Sequence, residues 1–296
     1  MDNLDILGAF RTIIRMRRYT TRLRSLDRPG IVHAMTGVML EHGANIVESA
    51  QFSDTDTGLF AMRTTFETES LDIRSIDSSF DSVRDSMGAE IELRAIDQPY
   101  RALIMVSKYG HCLLDLLHRH ADGELAIDIP LIVSNHTDLV PVAERFGIPF
   151  EPLPVTPETK DVAESRLIDL ISVHNIDFVV LARYMQVLSD AVCSMFQARI
   201  INIHHAFLPA FKGSRPYHQA HERGVKLIGA TAHYVTTDLD EGPIIAQAVE
   251  DVYHSDSVED LVRVGRDIER IVLSKAVRYH AEDRVILVGS RTIVFD

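Results

Sequence analysis

Cysteine is almost absent from this sequence. Cys112 and Cys193 are the only two in 296 residues, with neither CxxC spacing nor the density of a disulfide scaffold. That argues against a structural zinc site and points to a reducing, cytoplasmic setting. Basic charge is also in short supply: 30 Lys and Arg stand against 43 Asp and Glu, a formal charge of −13. Binding to nucleic acid or to an anionic membrane draws on basic surface, so neither is an expected partner and a small molecule is. Residues 1–18 hold no long uninterrupted apolar core and no small-residue cleavage site, so secretion is not expected. No HExxH pair, no GxxxxGK phosphate loop and no Ser-His-Asp relay can be read in the chain. Internal repeats and low-complexity segments are missing too.

What the chain does hold is ordinary globular material, 46% hydrophobic and 25% charged, in a length that exceeds one usual core and predicts two domains. Ile6, Leu7, Phe10, Ile13 and Ile14 make a short apolar stripe at helical spacing. Residues 1–18 are therefore read as a packing helix or a dispensable N-terminal extension, with Asp2 and Asp5 arguing against a membrane anchor.

From Tyr19 to Ile96 the order is βαββαβ. Tyr19 to Ser25, Ile46 to Phe52, Leu59 to Phe66 and Ala89 to Ile96 read as strands, and Ile31 to Glu41 and about Leu71 to Met87 as helices. That order is the ferredoxin-like arrangement. Pro29-Gly30 turns the chain into a helix whose free N–H groups can receive a ligand carboxylate, with Asn45 starting the next strand nearby. On the alternative reading Gly30 and Gly43 only make turns. The words Asp27-Arg28-Pro29-Gly30-Ile31-Val32 and His42-Gly43-Ala44-Asn45-Ile46 resemble an ACT domain, and the resemblance spans nearly all of residues 19–97. It implies an amino-acid effector such as glycine or methionine at Asp27, Arg28, Pro29, Gly30, Asn45 and Ile46. Edge pairing of such sheets implies a homodimer or homotetramer.

Asp97 to Arg101 is a polar, Pro-containing joint, and a second domain is expected over residues 102–296. Strands at Ala102 to Val106, Ile129 to Ser134, Phe178 to Ala182 and Ile200 to His204 alternate with helices near Leu113 to His120, Leu139 to Phe146, Val162 to His174 and Ser189 to Phe196. This α/β pattern predicts a Rossmann-like, doubly wound parallel sheet with ligands at the carboxyl ends of its strands. Ile228 to Thr236 and Pro243 to Val252 then flank an acidic loop, Thr237 to Gly242. A long helix from Val258 to Tyr279 and a hairpin from Val285 to Phe295, turned at Gly289-Ser290, end the chain.

Alternation along the strand ending Asn202-Ile203-His204-His205 places Asn202 and His204 on one face and Ile203 on the other. A carboxamide and an imidazole thus converge at the carboxyl edge of the sheet, while His205 is expected to face away from His204. The chain has 14 His. With His204 and His205 on opposite faces and no acidic ligand beside His218 and His221, no catalytic metal is expected.

Asn202-Ile203-His204, Leu208-Pro209, Gly213, His233 and Asp240-Glu241-Gly242-Pro243-Ile244-Ile245 follow in that order. Together they resemble the formyltransferase fold that uses 10-formyltetrahydrofolate, over about Ala102 to Gln247. The resemblance places the family's catalytic trio on Asn202, His204 and Asp240. Attack on a formyl carbon builds an oxyanion that Asn202 and a protonated His204 can hydrogen-bond, each donor being worth about 3 to 4 kcal/mol of barrier. Asp240 can favour the imidazolium, bind water and pass protons toward the leaving nitrogen. Leu181 to Leu188 resembles the family's pterin-pocket segment, so Arg183, Tyr184, Met185, Gln186, Val187 and Leu188 are the expected folate contacts, with Leu239, Glu241 and Gly242 closing the other side. The alternatives are a helix start packed on the sheet for the first segment and a plain turn residue for Asp240.

The trio is compatible with water or an amine as acceptor, since glycinamide ribonucleotide formyltransferase presents it too. That relative holds its acceptor's phosphate in a Gly/Ser/Asn-rich turn after the first strand, whereas the turn here is Ser107-Lys108-Tyr109-Gly110-His111-Cys112. With His205, Phe207, Arg215-Pro216-Tyr217-His218-Gln219 and the ACT-like module, the chain resembles the formyltetrahydrofolate deformylases, although Ala206 stands where that family usually has Ser. The resemblance implies a hydrolase with a folate substrate and no cofactor, which supplies formate for purine synthesis and balances one-carbon folate pools. An amine-dependent formyltransferase and a noncatalytic amino-acid sensor are the two alternatives. Lys212, Arg215 and Arg183 are candidates for a basic rim facing the anionic folate tail.

Overall fold

The computed structural model describes residues 16–209 and 216–296. The expected apolar stripe from Ile6 to Ile14 and the residues Lys212, Gly213 and Arg215 lie outside the described residues. Two compact units divide between Gln98 and Pro99.

The first unit runs β1 (Arg17–Leu26), α1 (Ile31–Glu41), β2 (Asn45–Asp54), β3 (Leu59–Thr68), α2 (Ile73–Ser79), α3 (Asp81–Met87) and β4 (Glu90–Ala95). Its four strands form one antiparallel sheet in the order β2-β3-β1-β4. The hydrophobic side chains of β1 and β3 pack with those of the helices: Tyr19 stacks on Phe66 at 5.6 Å, over Met35, Ile76 and Phe80. Gly30 starts α1 at φ 99, a conformation that favours glycine and turns Pro29 into the helix. Where one helix was expected between Leu71 and Met87, the structure has two, broken at Phe80. The hydroxyls of Ser78 and Ser79 both donate to the Ser75 carbonyl, and the Phe80 N–H bonds back to Asp77 in a tight i→i−3 turn. That break drives the Phe80 ring fully into the core.

The second unit runs β5 (Tyr100–Val106), α4 (His111–Ala121), β6 (Ile127–Ser134), α5 (Val140–Phe146), β7 (Phe150–Pro152), α6 (Lys160–Val173), β8 (Phe178–Leu181), α7 (Asp190–Met195), β9 (Ile200–His204), α8 (Pro216–Arg223), β10 (Leu227–Tyr234), β11 (Ile244–Asp251), α9 (Val258–Ala281), β12 (Val285–Val288) and β13 (Arg291–Val294). Seven strands order as β11-β10-β9-β8-β5-β6-β7. Strands β5 to β9 pair in parallel, as their alternation with helices predicts, and β10 runs antiparallel to both β9 and β11, which makes the sheet mixed. A short loop joins β10 to β11, and a hairpin connection of that kind imposes the reversal. Alternation along β5 splits the core as a doubly wound sheet requires. Ala102, Ile104 and Val106 face one core with α4 and α9, while Leu103 and Met105 face the other with α6 and α7. The short strand β7 and the polar helix α8 were not foreseen. No helix among the described residues is long and apolar enough to cross a membrane.

Candidate active site

Register across the sheet assembles the site. Leu181 at the end of β8 pairs with Asn202 on β9, which in turn pairs with His233 on β10. These positions open at the carboxyl edge, where doubly wound sheets hold ligands. The register slips between Ala232 and His233, a bulge that re-aims the His233 ring. His233 Nδ1 donates to the Tyr234 carbonyl at 3.0 Å, and Nε2 on the other side of the ring lies 3.2 Å from Asn202 Nδ2. His233 therefore fixes the Asn202 carboxamide.

Asp240 enters from the loop between β10 and β11 in a left-handed conformation, φ 58. The loop lies against β10 so closely that a Cβ on Gly242 would fall 1.7 Å from the Tyr234 carbonyl oxygen. Gly242 is thus what lets the loop deliver Asp240. One carboxylate oxygen of Asp240 lies 3.2 Å from His204 Nδ1 and the other 3.7 Å from His233 Nε2. Burial would raise the Asp240 carboxyl, but the facing imidazoles, His204 first and then His233, hold it well below the usual carboxylate range. His204 is buried, and its Nε2 has no hydrogen-bond partner.

The trio Asn202, His204 and Asp240 lines one cavity of about 560 Å³. Arg183, Tyr184, Met185, Gln186, Val187, Leu188 and Leu239 line it as well, whereas Glu241 and Gly242, expected as folate contacts, do not. Glu241 is exposed and Gly242 is packed beneath the loop, because the chain turns outward after Asp240. The segment after β8 is held from β5: Ser107 Oγ accepts from the Met185 N–H at 3.0 Å and donates to Asn135 at 2.7 Å. Met185, Val187 and Leu239 are more than half exposed, an apolar rim around the mouth. Burial, and then Glu164, push the Tyr184 phenol up to about 12. The loop after β9 hangs on Thr231, whose hydroxyl donates to the Ala206 carbonyl at 2.9 Å and accepts from the Leu208 N–H at 3.0 Å.

A second polar group, not foreseen from the sequence, lines the same cavity. Glu269 on α9 is 1% exposed, accepting from Tyr217 at 2.6 Å and from His111 Nε2 at 2.7 Å, with Arg183 Nε at 3.4 Å. Burial would raise the Glu269 carboxyl, but the His111 hydrogen bond, the Arg183 charge and the Tyr217 hydrogen bond bring it below its ordinary value. Arg183 stands at φ 65, a conformation uncommon for a side chain of this size. His111, Cys112 and Glu269 place donor atoms within 4.8 Å of one another. They suit a metal poorly, since burial pushes the Cys112 thiol well up, away from the thiolate a metal takes, and Glu269 is already committed to His111 and Tyr217.

His205 corrects an expectation. Its ring lies 5.1 Å from that of His204, and both line the one cavity. Strand geometry ends at His204, so alternation no longer governs the next residue. In the first unit, Asp27, Arg28, Pro29 and Gly30 are exposed, Asn45 and Ile46 open β2, and Asp27 accepts from Ser53.

A sheet edge with this carboxamide, imidazole and carboxylate belongs to a recognised class: residues 100–277 match the family model described as formyl transferase. A formyltetrahydrofolate deformylase of Corynebacterium sp. strain P-1 is 47% identical over 94% of this chain and 98% of its own. The crystal structure of a formyltetrahydrofolate deformylase from Pseudomonas syringae pv. tomato superposes with a TM-score of 0.93 at 42% identity, over 96% of both chains. Glycinamide ribonucleotide transformylase 1 from Symbiobacterium toebii, at 32% identity and a TM-score of 0.63, covers 67% of this chain and 95% of its own. The chain belongs to the formyltetrahydrofolate deformylase family.

Proposed function

We propose that this chain hydrolyses 10-formyltetrahydrofolate to formate and tetrahydrofolate. The observation that carries the reading is the convergence of Asn202, His204 and Asp240 on one cavity, with Asp240 bridging His204 and His233. The pterin lies along Arg183 to Leu188, where backbone groups and the apolar rim suit a flat heterocycle. The formyl oxygen points at Asn202 and His204 Nε2, which hydrogen-bond the oxyanion as it forms. Asp240, held in its carboxylate form, supports the His204 imidazolium that donates to the oxyanion and orients the attacking water. No metal and no cofactor take part. Formate so released feeds purine synthesis and balances one-carbon folate pools.

Water as acceptor is supported by the turn after β5, where Ser107 is engaged with Met185 and Asn135 and Tyr109 and His111 line the cavity. The same reading carries an amino-acid effector at Asp27 to Gly30 with Asn45 and Ile46. It also carries self-association into a homodimer or homotetramer through β2, an edge strand exposing Ile46, Val47 and Phe52. In buffer free of amines, the purified protein is expected to convert 10-formyltetrahydrofolate to formate and tetrahydrofolate in equal amounts, with glycinamide ribonucleotide leaving the rate unchanged. Turnover that required that amine would move the assignment to a transferase.

A further inference from the structure

The trio leaves one task of hydrolysis without an owner. Attacking water must lose a proton, and the two carboxylate oxygens of Asp240 already face imidazole nitrogens, 3.2 Å from His204 Nδ1 and 3.7 Å from His233 Nε2. His204 turns Nδ1 to that carboxylate and keeps Nε2 buried beside the reacting position. A proton acceptor in the same cavity is therefore required.

We propose that His205 takes the proton from the attacking water. The ring stands one residue beyond β9, 5.1 Å from His204 and 6.2 Å from Tyr217, on the wall of the cavity that the trio lines. Among the described residues neither of its ring nitrogens has a hydrogen-bond partner, unlike those of His233. Its neighbours are fixed: Tyr217, packed against it from α8, is tied to Glu269, which also holds His111.

The charges facing His205 come from four elements. Arg183 follows β8, Glu269 lies on α9, His204 ends β9 and Asp240 enters from the β10–β11 loop. Burial first, and then the Arg183 charge, bring the imidazole down to about 4, so at neutral pH it is uncharged and free to accept. Glu269 and Asp240 act the other way, and they stabilise the imidazolium once it forms. The proposal rests on the hydrolytic reading above. Water oxygen bonds to the formyl carbon as one proton passes to His205, and the negative charge gathers on the formyl oxygen facing Asn202. The carbon–N10 bond then breaks with protonation of N10, and formate leaves as the anion. Of the two protons of water, one ends on N10 and one in solvent, so atoms and charge balance without a further reactant.

The test uses the full chain as wild type, His205→Ala and His205→Gln. Formate release at saturating 10-formyltetrahydrofolate is expected to fall by roughly 10²- to 10⁴-fold in both variants, the usual contribution of a positioned base. Binding of a non-hydrolysable folate is expected to stay within about threefold of wild type, since His205 acts on water. Imidazole added to His205→Ala is expected to restore turnover, more so for more basic imidazoles, an effect that a purely structural role would not produce. A His205→Ala rate within threefold of wild type overturns the proposal, as does a loss matched by weakened folate binding without imidazole rescue. Either result with an active wild type spares the hydrolytic reading, whereas a wild type that releases no formate overturns both.

Discussion

Tyr217 occupies the space that a side chain at position 265 would need: a Cβ on Gly265 would fall 2.2 Å from both Cζ and Oη of the tyrosine. The phenol is therefore set between α8 and a helix that had to leave a gap for it. Gly265→Ala is expected to push Tyr217 off Glu269 and leave a carboxylate that is 1% exposed without its hydroxyl donor. A hydrogen bond to a buried charge is worth about 1.5 to 3 kcal/mol. Calorimetry is expected to show Tm lowered by several degrees. In a Tyr217→Ala background the same change is expected to be neutral or stabilising by up to about 1 kcal/mol, because alanine is the better helix former. Equal losses in both backgrounds would mean the gap serves another neighbour.

His204→Ala and Asp240→Asn are each expected to lower kcat by at least about 10²-fold while secondary structure persists, since neither belongs to the hydrophobic cores. The pair is expected to cost much less than the sum of the single losses, because one carboxylate oxygen sits 3.2 Å from the imidazole and the two act together. Steady-state kinetics with circular dichroism settles it. Strict additivity would assign the residues separate tasks.

What could be read from the chain, and what could not, follows from range. Asn202 and His204 share a face by strand alternation, which is local. Asp240 and His204 are 36 positions apart in the sequence, and only the motif resemblance joined them before the β10–β11 loop was seen. Glu269 and His111, separated by 158 positions, meet because α4 and α9 pack on the same face of the sheet, and no spacing rule records that. His205 was misplaced by extending a period of two past the point where β9 ends. The break at Phe80 escaped although it is local, because helical periodicity does not record the hydroxyls of Ser78 and Ser79 competing for the Ser75 carbonyl.

Stability is expected to report the charge state of His205. Its folded value of about 4 lies below the ordinary imidazole value of 6.5, so between those two the unfolded chain binds more protons and stability falls as pH falls. Asp240 is also held below its ordinary value, but its contribution is present above about 4 and lost only as pH drops further toward that depressed value. The window from pH 7 to 5 therefore isolates the histidine. Urea midpoints are expected to fall across it in the wild type and to fall less in His205→Gln. Parallel curves would show that His205 is no less basic folded than unfolded.

Removal of residues 1–98 is expected to leave a folded unit that keeps its cavity. Every residue lining that cavity, from Tyr109 to Glu269, lies in the unit Pro99–Asp296. Its two cores close on opposite faces of one seven-stranded sheet, and a chain of this size buries enough apolar surface to fold alone. The long helix α9 is independently anchored by a capping box between Ser257 and Asp260. The truncated protein is expected to unfold cooperatively and to bind folate within a few-fold of the full chain, while oligomer size and any response to glycine or methionine change. Cooperative unfolding with no folate binding at all would show that the cavity is not the folate site.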